Sequence, residues 1–381
     1  MTRPLHDVDP RTLRRRTSIK WRAYPEDVLP LWVAEMDTTP APAVVAAIMQ
    51  ALTDGDTGYP VSSAACAEPF SVFAAERWGW HHDPARTVVV PDVMTGLREV
   101  LELVTGPGDA VVVNPPVYPP FFGSVEHTGR RLVPAPLGDD GRLDLDTLEE
   151  AFATAAAGGG RPAYLLCSPH NPTGTVPTLG ELSAVATLAE RYGVRVVADE
   201  IHAPLVPTGA VHVPYLSVPG AGDAIALFSA AKAWNLAGLK AAIAVSGPEG
   251  LDDLRRLPDL AHTPVSHLAM IAHAAAFRDG GDWLDAVLHD IAANRVLLGE
   301  LLAERLPVVG YRPPEGTYLA WLDCRRLELG EDPAAVFLER GRVALSSGLP
   351  FGTGGEGRVR LNLGTSPEVI TEAVNRMVSA L

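Results

Sequence analysis

Three polar residues follow short apolar runs in the middle of this chain. Asn171 lies in the segment SPHNPTG, Asp199 follows the run VRVVA, and Lys232 lies in the segment SAAKAWNLAGLK. Each apolar run is typical of a buried strand, and parallel sheets bind ligands at the carboxyl ends of their strands. We therefore expect a carboxamide, a carboxylate and an amine to share one site.

These groups match the needs of an aldehyde cofactor with a pyridine ring, pyridoxal phosphate (PLP). Lys232 can hold the aldehyde as a Schiff base. A buried carboxylate at Asp199 would keep the ring nitrogen protonated, and the Asn171 amide would donate to the ring oxygen. Ser229 and Lys240 flank the lysine and would bind the phosphate.

Composition narrows the class of protein. The 381 residues carry a formal net charge of −15, with 47% hydrophobic and 20% charged residues. The acidic balance argues against a nucleic-acid partner. The chain starts with no apolar leader and has no membrane-length apolar run, so we expect no membrane association and a cytoplasmic location. The 3 cysteines lack CxxC spacing, and we predict no metal site.

Apolar runs alternate with amphipathic stretches through the first two thirds of the chain. This pattern indicates an α/β fold with a mostly parallel sheet of seven strands, covered on both faces. The predicted strands are 87–90, 109–113, 131–133, 163–167, 194–198, 224–228 and 241–245. The predicted helices between them are 96–105, 144–157 and 178–192.

The pattern changes after about residue 250, where helical stretches and a few strands indicate a smaller α+β unit. A chain of this length is too long for one simple core. We predict an N-terminal arm at residues 1–45 that packs on the small domain, a large cofactor-binding domain at 46–275 and a small domain at 276–381.

Several segments in this order resemble one enzyme family over nearly the whole chain. They read LWVAEMD (31–37), GYP (58–60), NPPVYPPF (114–121), PHNPTG (169–174), DEIH (199–202), SAAKAWNLAGLK (229–240) and RVRLNLG (358–364). They resemble the fold-type I PLP-dependent enzymes of the aspartate aminotransferase superfamily (class I/II). Within it, they resemble the cystathionine beta-lyase-like C–S lyase branch of the maltose-regulon modulator type.

The resemblance implies roles around the cofactor. Tyr118 would stack on the ring, and Val93 and Met94 would donate backbone N–H groups to the phosphate from a helix start. Tyr59 would reach the phosphate of the neighbouring subunit, which implies a homodimer. His202 would lie near the ring oxygen, where many aminotransferase relatives have a tyrosine.

The resemblance also implies a substrate side. Arg360 would bind the α-carboxylate as a bidentate guanidinium, with Asn171 assisting. The backbone from Trp32 to Ala34 would line the substrate mouth. By position, Phe121 and Trp234 are further candidates for its walls.

Two differences from the family concern the phosphate and the side-chain pocket. Lys240 stands where relatives have a phosphate-binding arginine. The loop at 346–352 reads SSGLPFG in place of an asparagine-containing loop, and it is a candidate contact of the substrate side chain.

The resemblance implies a PLP-dependent C–S β-lyase that cleaves cystathionine or another S-substituted L-cysteine to a thiol, pyruvate and ammonia. Lys232, Asp199 and Tyr118 would act in catalysis. Three alternatives stay open: an aminotransferase, an oxidative or decarboxylating deaminase of an S-conjugated amino acid, and a regulator that keeps the fold without catalysis. The first uses the same residues up to removal of the Cα proton, so the sequence does not separate it from a lyase.

Overall fold

A seven-stranded sheet forms the centre of the larger part of the molecule, as a computed structural model shows for residues 3–207, 210–261 and 264–381. The strands are β1 Leu29–Pro30, β2 Thr87–Val90, β3 Ala110–Val113, β4 Arg131–Pro134, β5 Ala163–Cys167, β6 Arg195–Asp199, β7 Ile225–Phe228, β8 Ala242–Ser246, β9 Gly310–Tyr311, β10 Leu319–Asp323, β11 Val343–Ala344, β12 Ser346–Ser347 and β13 Arg358–Asn362. The helices are α1 Pro10–Arg14, α2 Ile19–Arg22, α3 Pro42–Asp54, α4 Ala64–Trp78, α5 Val93–Val104, α6 Pro120–His127, α7 Leu145–Ala157, α8 Leu179–Tyr192, α9 Leu251–Leu254, α10 His267–Asp279, α11 Gly281–Arg305, α12 Pro333–Gly341 and α13 Pro367–Ser379.

The order of the large sheet is β2-β8-β7-β6-β5-β3-β4, and β8 is antiparallel to both of its neighbours. Successive side chains of a strand point to opposite faces. Val111 and Val113 accordingly pack in one apolar core, while Ala110 and Val112 pack in the other. The predicted fold class, a mostly parallel sheet covered on both faces, is confirmed.

The helix after β2 starts three residues earlier than predicted. Asp92 is its N-cap, since the Asp92 carboxylate accepts from the Thr95 backbone N–H at 2.9 Å. Gly96 therefore lies inside α5, where it faces the sheet. A Cβ there would lie 2.6 Å from Val90 Cγ2, so only glycine lets the helix approach this closely.

Around the large sheet, helices α4 and α6 were not predicted. Pro69 lies inside α4, and a proline in a helix interior normally argues against a helix. The apolar face of α4 compensates, because Phe70 and Phe73 are almost fully buried among other aromatic rings. Tertiary packing overrides local propensity here.

The smaller unit has an antiparallel sheet of order β12-β13-β10-β9. The N-terminal arm joins it through β1, which runs parallel to β11 and pairs Leu29 with Val343. The predicted boundary between residues 275 and 276 falls inside α10, and Gly280 is the nearer break between helices. The domain boundaries remain a prediction.

A buried ion pair fastens the arm. Lys20 Nζ lies 2.8 Å from Asp37 Oδ1, and both side chains are almost inaccessible. The Lys20 ammonium also donates to the Glu35 carbonyl at 2.9 Å. Burial of these charges is tolerated because each has a partner. None of the helices in the described ranges is long and apolar enough to cross a bilayer.

We predict that Lys20→Met lowers the apparent free energy of unfolding by about 3–5 kcal/mol, because the Asp37 carboxylate stays buried without its cation. Urea denaturation measures this loss. Arg22→Met, at an exposed position of the same short helix, is the matched control, and we expect it to change stability by less than about 0.5 kcal/mol. Equal effects of the two substitutions would contradict a role for the ion pair.

Candidate active site

The candidate active site lies at the carboxyl edge of the large sheet, where β5, β6 and β7 end side by side. The register pairs Cys167 with Asp199 and Asp199 with Leu227. The loops that follow these three strands therefore leave the sheet side by side at the same edge. Asn171, Asp199 and Lys232 line one cavity of about 220 Å³. The structure thus brings together the three polar residues that the sequence places after strands.

The other residues that line this cavity are Val33, Ala34, Asp92, Val93, Met94, Tyr118, Cys167, Ile201, His202, Ser229, Ala231, Ala237, Lys240, Ala241 and Arg360.

A tight turn after β7 presents Lys232. In this turn the Trp234 backbone N–H donates to the Ala230 carbonyl at 3.0 Å. Asn235 has φ +57°, a left-handed conformation that asparagine tolerates better than most residues. Its side chain accepts from the Met36 N–H at 2.7 Å and donates to the Met36 carbonyl at 2.8 Å. The turn and the N-terminal arm therefore hold each other in place.

The Lys232 amine points into the cavity and donates to the Ala34 carbonyl at 3.2 Å. Part of its surface faces the cavity space, while protein surrounds the rest of the side chain. Burial, followed by repulsion from the Arg360 guanidinium, lowers the pKa of Lys232 to about 8. A substantial fraction of the amine is therefore neutral and nucleophilic near physiological pH.

Asp199 is a buried carboxylate, and none of the described residues places a cation within ion-pair distance of it. Its Oδ1 accepts from the Ile201 backbone N–H at 3.1 Å. Burial raises the pKa of Asp199 to about 6, although this N–H and the Lys232 charge act in the opposite direction. A cation bound beside this carboxylate would relieve the cost of burying its charge.

The DEIH segment divides between the cavity and the core. Glu200 turns away from the cavity: its carboxylate accepts from the Tyr215 backbone N–H at 2.8 Å and lies 2.8 Å from His212 Nε2. His202 faces the cavity, and its Nδ1 has no hydrogen-bond partner among the residues that the structure describes. Burial, Lys232 and Arg360 lower the pKa of His202 to about 3, so its imidazole is neutral. Sequence reasoning missed the pair of Glu200 and His212, because nothing local connects them.

Arg360 enters the cavity from β13 of the smaller sheet. Its guanidinium donates to Asn171 Oδ1 at 3.0 Å, and to the Trp32 carbonyl and Ser346 Oγ at 3.1 Å each. Its Nε has no hydrogen-bond partner in the described part of the chain, and the guanidinium carbon lies 5.1 Å from the Phe351 ring centre. Burial lowers the pKa of Arg360 to about 10, yet the group stays cationic near neutral pH.

The aromatic ring and the thiol of the site come from two neighbouring strands. Tyr118 lies on the loop after β3, and burial raises the pKa of its phenol. Cys167 ends β5, and its sulfur accepts from the Asn171 N–H at 3.4 Å. Burial raises the pKa of this thiol far above its ordinary value, so it is neutral. The thiol was not among the predicted site residues.

The opposite end of the cavity offers hydrogen-bond donors. Val93 and Met94 lie in the first turn of α5, where backbone N–H groups have no intrahelical acceptor. Ser229 Oγ donates to the Ala241 carbonyl at 2.8 Å. The Lys240 ammonium pairs with Asp92 Oδ2 at 2.9 Å, a partner that the sequence did not suggest. Burial raises the pKa of Asp92, but the hydrogen bonds from the Lys240 ammonium and the Thr95 backbone N–H together outweigh it and lower the pKa below its ordinary value.

Some predicted residues do not face this cavity. Tyr59 is 94% exposed, and the cavity is formed without it. Trp32 contributes a carbonyl through its contact with Arg360, and its ring lines an adjoining space. Phe121 and Trp234 are fully buried in the apolar core, so the expectation that they form substrate walls was wrong.

Comparison with known proteins identifies the family. The sequence model of the family described as "Aminotransferase class I and II" matches residues 26–377. A protein of Mycobacterium leprae is 55% identical over 99% of this chain and 98% of its own length, and it carries cystathionine beta-lyase as a provisional name. "Cystathionine beta-lyase" of Corynebacterium glutamicum is 36% identical over 97% of this chain and 98% of its own.

Among solved structures, "Crystal Structure of OvoB" matches with a TM-score of 0.90 and 34% identity, over 100% of this chain and 99% of that one. The chain belongs to the aminotransferase class I and II family. The predicted fold type I of PLP-dependent enzymes is thereby confirmed, as is the likeness to the branch whose named members include the protein of C. glutamicum.

We predict that Asp199→Asn stabilises the cofactor-free protein at pH 7.5 by about 2–3 kcal/mol, because the folded state no longer buries an unpaired charge. The wild-type pKa of about 6 lies above the unfolded value of 3.8. As the pH falls, the Asp199 carboxyl of the folded protein therefore takes up a proton. The destabilisation caused by its buried charge decreases as the charge is neutralised.

The difference in the free energy of unfolding between Asp199→Asn and the wild type should be about 1 kcal/mol smaller at pH 5 than at pH 7.5. Chemical denaturation at both pH values measures it, with Asp139→Asn at an exposed turn as control. A difference that does not change with pH would contradict the raised pKa.

Proposed function

We propose that this protein is a PLP-dependent C–S β-lyase that converts an S-substituted L-cysteine and water to a thiol, pyruvate and ammonia. One observation carries the proposal: a partly neutral amine at Lys232, a buried carboxylate at Asp199 and a guanidinium at Arg360 line a single cavity. Relatives that match nearly the full length of the chain are named cystathionine beta-lyases.

The cavity fits the cofactor in chemical terms. Asp199 lacks a close cation, and a protonated ring nitrogen would supply one. Val93 and Met94 have free N–H groups for a phosphate, and Ser229 and Lys240 stand at the same end. His202 Nδ1 is buried without a partner and could bond the ring oxygen, with Asn171 beside it.

When bound, PLP supplies an electron sink that stabilises negative charge at the substrate Cα. Tyr118 would pack on its ring and limit its movement. Lys232 would hold the cofactor aldehyde until the substrate amine replaces it, and the freed amine would then remove the Cα proton. Its lowered pKa favours this role, since only a neutral amine accepts a proton.

Arg360 would orient the substrate. Within the described ranges its Nε has no partner and its Nη atoms donate to neutral groups, so a carboxylate can take up these donors. Fixing the α-carboxylate sets the direction of the Cα–H bond relative to Lys232, which is an orientation effect. The bond from Cβ to sulfur then breaks, and the thiolate leaves with the electron pair and takes up a proton. The three-carbon remainder takes up water and gives pyruvate and ammonia.

An aminotransferase is the alternative function, since the same residues serve both reactions up to removal of the Cα proton. Two further relatives are named as aminotransferases, and they are 26% and 29% identical to this chain. The relatives that are named as lyases or as MalY are more similar, at 32% to 55% identity. His202, in place of a ring-oxygen tyrosine, further supports the lyase. A deaminase of an S-conjugated amino acid remains a second alternative. A cytoplasmic location remains a prediction from the sequence.

We predict that the purified holoprotein releases thiol and pyruvate in equal amounts from S-substituted L-cysteines without an oxo-acid acceptor. Lys232→Ala should remove the visible absorbance of the bound cofactor. It should also lower the turnover rate by at least about 10³-fold, because the anchoring amine and the proton acceptor are the same group. Free-thiol and pyruvate assays measure both products. Turnover only in the presence of an oxo-acid acceptor would contradict the lyase proposal and show that the protein is an aminotransferase.

The proposed assembly is a homodimer in which Tyr59 reaches the phosphate of the neighbouring site. Tyr59 and Val61 are 94% and 98% exposed, and Met49 on the adjacent helix is 57% exposed. Exposed apolar side chains in neighbouring segments of the chain are consistent with a surface that a partner covers. The tyrosine lines no cavity of its own subunit among those described, which favours a role in trans.

A complementation experiment tests this arrangement. Tyr59→Ala should weaken activity in its own homodimer, and Lys232→Ala should abolish it. Co-expression of the two variants with different tags should restore about a quarter of wild-type activity, because half of the random dimers contain one complete site. Val296→Ala, at a position 61% exposed on α11, is the control and should leave activity unchanged. Failure to recover activity in isolated mixed dimers would contradict action across the interface.

A further inference from the structure

A second cavity of about 350 Å³ adjoins the candidate site. The two cavities share Val33, Tyr118 and Arg360 as walls. We name the second cavity the vestibule. Its other apolar walls are the side chains of Tyr24, Trp32, Pro119, Pro120, Leu345, Pro350 and Phe351.

A substrate anchored at Arg360 would lie at the junction of the two cavities. Its amine must reach toward Lys232 in the inner cavity, while its carboxylate is held at the shared wall. The vestibule is the adjoining space for the group carried on sulfur. The edge-to-face contact of Tyr24 with Trp32, at 5.8 Å between ring centres, makes part of that space aromatic.

Both serine side chains that line the vestibule already form hydrogen bonds within the protein. Ser346 Oγ donates to the Trp32 carbonyl and accepts from Arg360. Ser347 Oγ accepts from the Leu349 N–H at 3.3 Å. Among the lining residues in the described part of the chain, Arg360 alone carries a charge, and the α-carboxylate would occupy it.

Cystathionine carries an ammonium and a second carboxylate at the far end of its S-substituent. Both charges would enter the vestibule with no charged partner, which opposes binding. An alkyl or aryl group would instead gain from leaving water for this apolar space. We propose that the vestibule selects L-cysteine conjugates with an apolar S-substituent over cystathionine. This inference rests on the proposed function.

The experiment compares kcat/KM of the holoenzyme for S-methyl-, S-ethyl-, S-butyl- and S-benzyl-L-cysteine with that for cystathionine. We expect an increase of about threefold to fourfold per added methylene, and cystathionine at least about tenfold below S-butylcysteine. If all of them release thiol but cystathionine reacts fastest, the proposed selectivity of the vestibule is wrong and the lyase activity stands. The same conclusion follows if kcat/KM does not depend on chain length. No thiol from any of them would overturn the lyase itself.

Two variants probe the walls directly. Ser347→Arg adds a cation and should raise the ratio of cystathionine to S-butylcysteine kcat/KM by at least about tenfold. Ser379→Arg, exposed on α13, should leave that ratio unchanged. Tyr24→Ala should lower kcat/KM for S-benzylcysteine by about tenfold more than for S-methylcysteine, and Ile19→Ala, exposed on the same arm, is its control. Unchanged ratios in folded Ser347→Arg and Tyr24→Ala would contradict the inference.

Discussion

Five consecutive backbone carbonyls, from Trp32 to Met36, each accept a hydrogen bond from a side chain outside that segment. The segment has no regular secondary structure, so its polar groups need other partners. The donors are Arg360 and Ser346, Asn362, Lys232 and Tyr318, Lys20, and Asn235 and Arg16. They come from the arm and from both larger parts of the molecule. This segment therefore fixes the separation of the amine and the guanidinium on which the proposed chemistry depends.

The same arrangement buries three ionisable side chains, those of Lys232, Asp199 and Arg360, in or beside one cavity. Burial shifts the pKa of Lys232 to about 8, that of Asp199 to about 6 and that of Arg360 to about 10, each toward the neutral form. The apolar packing on both faces of the sheet offsets this cost. Unfavourable burial thus produces a partly neutral amine at Lys232 and a carboxylate at Asp199 that needs a cation. Shifted pKa values of this kind are common at functional sites.

Much of the fold and of the inner site could be predicted from the sequence. The strands at 87–90 and 163–167 match their predicted limits, and the others agree to within a few residues, because continuous apolar runs mark buried strands. Helix α4 was missed because Pro69 contradicts local propensity. Phe121 and Trp234 were misplaced because an aromatic residue close in sequence to site residues can still point into the core.

The amino-acid pattern alone was sufficient for the strand ends and for the order in which amide, carboxylate and amine follow them, since periodicity and chain order are local properties. It was insufficient to show that Glu200 turns to His212 while its neighbour Asp199 faces the cavity. It also did not show that Lys240 pairs with Asp92, or that a separate apolar space opens beside Arg360. Those features depend on contacts between segments as much as 328 residues apart, such as Arg360 with the Trp32 carbonyl, and only the packed chain brings such segments together.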